Sequence, residues 1–287
     1  MSKILPIGIY EKALPFNTDW QGRLEMAQSA GFDFVEISID ETDHRQARLD
    51  WSAAERAGFR YAISATGVKV ITLCLSCHRK YPYGSADPKI RAIAHELMLK
   101  AIDFAVDTGI RTIQLAGYYV YYEDHLPDTR ERYRDGLALA LEEATKAGVM
   151  LALENVDGND VMSVSTGMAF VEEFNSPWFQ MYPDVGNLAE HGLDVVAEIK
   201  RGANHYVGLH VKDTRPGEPR RVPFGEGITP FVDAFGALNE IGYGGPVMLE
   251  MWNDDSPDSL QIISDARRWV VDKMIAGGLA SEEMRGE

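Results

Sequence analysis

Eight short runs of apolar, largely β-branched residues recur along the chain: ILPIGIY (4–10), FDFVEISI (32–39), VKVITLCLS (68–76), IRTIQLAGY (110–118), VMLALENV (149–156), FQMYPDVGN (179–187), HYVGLHVKD (205–213) and PVMLEMW (246–252). Each has strand length, and each interval leaves room for a helix. Several lack strict alternation of apolar and polar positions, which fits strands buried on both faces of a parallel sheet. The intervals carry helix boundaries. Ser52-Ala53-Ala54-Glu55 is a capping box. Asp87-Pro88, Thr229-Pro230 and Ser256-Pro257 each set a capping side chain before a proline at the first helical position. Gly31, Gly109, Gly148 and Gly242 are placed to stop a helix just ahead of the next strand. Eight such units predict an α/β chain folded as a (β/α)8 TIM barrel rather than a doubly wound open sheet. No linker or low-complexity stretch interrupts residues 1–287, so one domain is expected.

In a barrel the chemistry lies where strands end and βα loops begin. The fifth run ends on Glu154, an acidic group whose burial costs several kcal/mol unless something pairs with it. The sixth run carries Asp184, the seventh His210 and the eighth Glu250. Neighbouring strands lie about 4.8 Å apart, so four inward side chains from consecutive strands can meet around one ion. Three carboxylates that close repel unless a cation joins them. One imidazole with three carboxylates suits Zn²⁺ or Mn²⁺ and disfavours sites that demand thiolates. Further titratable groups fall at the same rim: Tyr10-Glu11-Lys12, Glu36 and His78-Arg79.

Charge narrows the partners. Against 28 Lys and Arg stand 44 Asp and Glu, a formal net charge of −16, which repels nucleic acid. The first residues, MSKILPIGIY, have no signal-peptide core, and no run of apolar residues is long enough to span a membrane, so a cytoplasmic protein is expected. Cys74-Leu75-Ser76-Cys77 is a CxxC, but it lies on a strand pattern where residues three apart face opposite ways. Buried, reduced thiols are the expected state.

At these residues the chain is similar to a known family. GIYEKALP (8–15), FDFVEISIDETD (32–43), IRTIQLAGYYVYY (110–122), NSPWFQMYPDVGNL (175–188), HVKDTRPG (210–217), VPFGEG (222–227) and GPVMLEMW (245–252) resemble the L-ribulose-5-phosphate 3-epimerases of bacterial L-ascorbate breakdown and their L-xylulose-5-phosphate 3-epimerase siblings. More distantly the pattern resembles the xylose-isomerase-like barrels, which include inosose dehydratases and endonuclease IV. The resemblance implies a barrel with one divalent metal, in a cytoplasmic enzyme that is commonly a homodimer. It implies Glu154, Asp184, His210 and Glu250 as ligands, the two glutamates doubling as acid and base. The epimerases of unphosphorylated ketoses carry a histidine three residues after the ligand aspartate; this chain has Asn187, in keeping with the phosphopentulose branch.

That chemistry asks for more residues. Removal of the proton on carbon 3 of a 2-ketose leaves an enediolate that a divalent ion can stabilise. Inversion needs a carboxylate on each face, the role expected of Glu154 and Glu250. Glu36 is a candidate partner for a ligand side chain. A sugar phosphate needs donors, for which Lys212, Arg215 and Arg221, the His78-Arg79-Lys80 segment and the backbone of Phe224-Gly225-Glu226-Gly227 are candidates. Tyr10, Tyr118 and Trp252 fall where an aromatic ring could line the pocket, and YYVYY (118–122) suits a cover or a subunit contact. A dehydratase or isomerase on the same scaffold, and a non-catalytic sugar-phosphate sensor, are the competing readings.

Overall fold

The eight runs become eight parallel strands because their side chains are apolar on both faces. A computed structural model describes residues 5–253 and 255–285; Ile4, placed in the first run, lies outside them. The barrel strands are β1 (Ile7–Tyr10), β2 (Phe34–Ser38), β3 (Lys69–Cys74), β4 (Thr112–Ala116), β5 (Met150–Glu154), β6 (Phe179–Met181), β7 (Leu209–Val211) and, after a two-stranded insertion of β8 (Asp213–Arg215) and β9 (Glu218–Val222), β10 (Val247–Leu249). They pair in the order β6-β5-β4-β3-β2-β1-β10-β7. Parallel bridges Met181–Tyr206 and Asp184–His210 join the two ends, so the sheet closes into a barrel.

Alternation along the strands divides the core. Ile7, Ile9, Val35, Ile37 and Leu249 pack outward under the helices, while Tyr10, Phe34, Cys74 and Met248 form a separate buried cluster inside. Gly8 is what lets Phe34 lie across the interior: a Cβ there would come 2.3 Å from its ring. Among the described residues no helix is long and apolar enough to cross a membrane.

The helix boundaries agree in part with expectation. Ser52 and Glu55 form the capping box, Asp87 caps Lys89 N with Pro88 at the first helical position, and Gly109 and Gly148 end their helices in the left-handed conformation. The two later proline signals are displaced. Pro230 itself precedes the helix Phe231–Glu240, and Thr229 instead donates its hydroxyl to the Lys212 carbonyl. Asp258, not Ser256, precedes the helix Ser259–Ala276. The sixth run is also shorter than its apolar character suggested. Pro183 offers no N–H to a ladder, and the Asp184 carboxylate turns the chain by accepting from Gly186 N and Asn187 N.

Glu11, expected at the rim, is turned into a buried ionic cluster beside it. Arg48 holds both its oxygens at 2.5 and 2.8 Å, Arg45 and Arg23 approach to 3.3 and 3.4 Å, and Ser38 N donates at 2.7 Å. Burial pushes the Glu11 carboxyl up, but the arginines overcome this and hold it below its ordinary range. The cluster ties the segment after β1 to the segment after β2. Glu11→Ala, which strands Arg48 without its counter-charge, should cost about 3–5 kcal/mol in urea unfolding; a loss below about 1 kcal/mol would mean that the cluster behaves as a surface pair.

Candidate metal centre

Four side chains converge at the carboxyl end of the barrel, each delivered by a different local device. Glu154 is the last residue of β5, aimed inward by the strand's alternation. Asp184 stands three residues beyond β6 and is positioned by Asn155, whose amide donates to Asp184 O and accepts from Asp184 N, both at 2.9 Å. Asn187 extends this lattice by donating to Asn155 O at 2.8 Å. His210 is the central residue of β7, and Glu250 follows β10 directly, its N–H bonded to Val211 O. One ligand atom from each of Glu154, Asp184, His210 and Glu250 lies within 4.8 Å of the others.

The surroundings determine their charge. Lys212 Nζ sits 2.7 Å from Asp184 Oδ2 and 2.9 Å from Glu250 Oε2. His210 Nδ1 lies 2.8 Å from Glu154 Oε1, and its Nε2 lies 3.0 Å from Glu36 Oε1 on β2. Gln114 donates to the other oxygen of Glu154. Burial pushes the Asp184 carboxyl up to about 7, against the pull of Lys212. Burial also raises Glu154, against His210. It pushes Glu250 upward too, but Lys212 and His210 overcome it and hold that carboxyl at about 2. His210 is driven well above its ordinary range: burial opposes the charge, and Glu36 and Glu154 outweigh it.

These residues fit a divalent cation. With His210 as a neutral ligand, three carboxylates against the Lys212 ammonium leave two negative charges in a buried volume, the charge that one divalent ion removes. Glu36, behind the ring, is placed to hold the Nε2 proton and so present Nδ1 to the cluster, the arrangement in which a carboxylate orients a ligating histidine. The oxygen-rich donor set disfavours metals that demand thiolate ligands.

A cavity of about 260 Å³ opens directly above, lined among others by Tyr10, Ser76, Arg79, Tyr118, Glu154, Asn187, Lys212, Arg220, Arg221, Glu250 and Trp252. It therefore gathers most of the residues expected to meet substrate. Tyr10 bonds Ser38 at 2.9 Å and meets Trp252 edge-on, and Tyr118 donates to Asp157. Others lie elsewhere. Lys212, expected at a phosphate, is committed to Asp184 and Glu250 at the cavity floor. Arg215 is half-exposed on the outer face of the β8–β9 hairpin, paired with Glu218 and Glu226. His78 turns away, its Nε2 3.1 Å from Ala94 O and its ring edge-on to Tyr83. In the glycine-rich loop Gly225 N and Gly227 N are taken up by Asp213 at 2.9 Å each, and Glu226 N by Pro223 O.

Several residues at the site had no signal in the pattern. Asn155 and Gln114 are single amides in strand sequence, and Arg220 belongs to a hairpin that no alternation announced. It reaches Asp157 at 2.8 Å and Tyr118 at 3.2 Å across the mouth. Cys74 lines the cavity and Cys77 is buried, both as free thiols that burial pushes upward.

The comparisons agree with this geometry. Residues 24–273 match the family described as xylose isomerase-like TIM barrel. The chain is 48% identical over 279 residues to the L-ribulose-5-phosphate 3-epimerase UlaE of Escherichia coli O157:H7, covering 97% of this chain and 98% of that protein. The UlaE protein of Escherichia fergusonii matches with the same figures. Among solved structures, an L-ribulose 3-epimerase superposes with a TM-score of 0.80 at 21% identity, over 97% of this chain and 96% of that one. The D-psicose 3-epimerase of Clostridium cellulolyticum H10 gives 0.78 at 18%, over 94% and 99%; at such identities the likeness speaks for the fold alone.

Two outcomes follow from the charges. Mn²⁺ or Zn²⁺ at about 100-fold its Kd should add about 2.7 kcal/mol of stability and raise the thermal midpoint by about 2 °C or more, and chelation should reverse it. Glu154→Gln with Asp184→Asn should abolish that shift; a midpoint indifferent to metal would remove the site. Separately, burial pulls His78 down to about 4. Its neutral form stabilises the fold above about pH 6.5, its ordinary value, and that contribution is lost as pH falls toward 4. His78→Asn should flatten the fall in thermal midpoint over this window; parallel curves for the two proteins would contradict it.

Proposed function

The chain belongs to the xylose isomerase-like TIM barrel family, on its L-ribulose-5-phosphate 3-epimerase branch, and from that premise we propose that it interconverts L-ribulose 5-phosphate and L-xylulose 5-phosphate. The observation that carries the reading is the pair of glutamates within the four-residue cluster. Around the ring of eight strands, β5 and β10 are separated by β6 and β7, so Glu154 and Glu250 approach the cavity from opposed sides with Asp184 and His210 between them. Inverting carbon 3 requires a proton to leave one face and another to arrive at the opposite face. Two carboxylates in this relation do so without either moving.

Their surroundings make them unequal. Burial raises the Glu154 carboxyl, while Lys212 holds that of Glu250 at about 2. Gln114 and His210 fix the Glu154 carboxylate in place, and Lys212 does the same for Glu250. A divalent ion held by the four residues would supply Lewis-acid compensation for negative charge developing on the ketose oxygens. Tyr10, Tyr118 and Trp252 would exclude water from the exchanging carbon. Asn187 supports a phosphorylated substrate, since the histidine that accompanies unphosphorylated ketoses is replaced here by an amide held to Asn155. The reading carries with it Zn²⁺ or Mn²⁺ as the ion, and a cytoplasmic homodimer.

In D₂O, the metal-loaded protein should wash deuterium into carbon 3 of either ketose phosphate and lose this on chelation. Glu154→Gln should abolish exchange while leaving the circular dichroism spectrum unchanged. Absence of label from both compounds with wild-type protein would overturn the assignment.

A further inference from the structure

The mouth of the cavity is crossed by a side chain that the barrel strands do not carry. On the β8–β9 hairpin Asp213 faces Val222 and Arg215 faces Glu218, so Thr214 alone stands opposite Pro219, Arg220 and Arg221. Extra residues on one strand form a bulge, which bends the strand and re-aims the side chains it carries. Arg221 takes the left-handed conformation at φ 66°, which a residue with a Cβ adopts at a cost. Both arginines are thereby turned onto the cavity that Glu154 and Glu250 line.

Arg220 reaches across that cavity to the loops after β4 and β5. Its Nη2 lies 2.8 Å from Asp157 Oδ2 and 3.2 Å from the Tyr118 hydroxyl, which itself donates to Asp157 Oδ1. Gly158 makes room for this, since a Cβ there would come 2.9 Å from the Tyr118 ring. The two ends of the ribbon are held unequally. At its base the buried Asp213 carboxylate accepts from Gly225 N, Gly227 N and Thr229 N, and Thr214 donates to Gly186 O. Toward the tip the contacts are polar and reach solvent: Gly217 N meets Glu190 at 3.3 Å, and 34% of the Arg220 side chain is exposed. Exposed ion pairs are weak ties, so the tip can part from the loops opposite while the base stays fixed.

We propose that the hairpin is a strap over the active site and that Arg220 is its latch, a positioning residue that closes the mouth while a proton is in transit. The inference rests on the epimerase reading. In that reaction the C–H bond at carbon 3 breaks toward one glutamate and leaves its electron pair in the enediolate, and the other glutamate delivers a proton to the opposite face. Until that delivery the abstracted proton stays on the first glutamate, where water would exchange it. Arg220 clasped to Asp157 and Tyr118 narrows the path by which water arrives. Substrate entry then needs only this clasp to open, a motion of one ribbon on a fixed base, in the manner of gating loops.

The test compares metal-loaded wild type, Arg220→Met and Asp157→Asn in D₂O with L-ribulose 5-phosphate, stopped early in turnover. A leaky mouth lets the first glutamate pick up deuterium and return it, so label in recovered substrate relative to product should rise about threefold or more in both variants. Arg220→Lys, which keeps the charge but not the forked reach, should fall between wild type and Arg220→Met. Amide hydrogen exchange supplies a readout without substrate: residues 215–222 should exchange about two- to fivefold faster in Arg220→Met, with the barrel strands unchanged. Equal label ratios in wild type and Arg220→Met, with or without faster exchange at the tip, would overturn the latch and leave the epimerase reading in place. A wild type that labels neither ketose phosphate, while Arg220→Met still loosens residues 215–222, would keep the strap and remove the reaction.

Discussion

Three carboxylates gathered in a buried volume a few ångströms wide set the terms for the carboxyl end of this barrel. Every neighbour of Glu154, Asp184 and Glu250 either supplies positive charge or donates a proton. Lys212 bridges two of the three, His210 leans on the third, and Gln114 takes up the remaining oxygen of Glu154. Even the backbone is recruited, since Gly186 and Asn187 give their N–H groups to Asp184. Coulomb repulsion between like charges at this range is large in a low-dielectric interior. The arrangement is therefore stable only while its compensating groups are present, and a divalent ion completes what one ammonium begins.

A second ionic cluster shows what a different balance does. At Glu11 the excess is reversed, with one carboxylate inside three guanidiniums. Asp40 takes up part of that excess through Arg45 and Lys12, and Glu11 is not among the residues that line the cavity above the carboxylates. Its work is mechanical, holding the loops after β1 and β2 in fixed relation. The two clusters lie on neighbouring parts of one rim, and what separates them is that Glu154 and Glu250 line the cavity while Glu11 does not.

Most of the barrel was legible in the chain because burial on both faces leaves an unmistakable run of apolar residues, and Glu154 and Glu250 stand where such runs stop. The places where reading failed have a common physical cause. Asp184 joins the cluster as its position implied, but side-chain bonds from Asn155 rather than a strand hold it there, and an amide in that role looks like any other amide. Charge and position in the chain point to His78 and Arg215, but His78 turns to Ala94 O and Tyr83, and Arg215 pairs with Glu218 and Glu226 on the hairpin. Gly225 and Gly227 offered the flexibility expected of an anion loop, yet their donors are consumed by Asp213, the residue next to Lys212. Sequence shows which groups are available; it does not show which are already paired. The β8–β9 hairpin left no signal in the sequence because its strands are short and polar, and the residues it buries, Asp213 and Thr214, are not apolar.

That hairpin pairs only with itself and forms no ladder with the barrel strands. Its tip lies outside the barrel ladder, whereas Asp213 and Thr214 at its base are buried and Thr214 donates to Gly186 O, two residues from Asp184. Through Arg220 it still reaches Asp157 and Tyr118 on the far side of the mouth. The reacting end and the part of the entrance that this ribbon spans thus rest on separate elements, so that a change at the tip of the ribbon would reshape the opening while leaving the strands beneath in register.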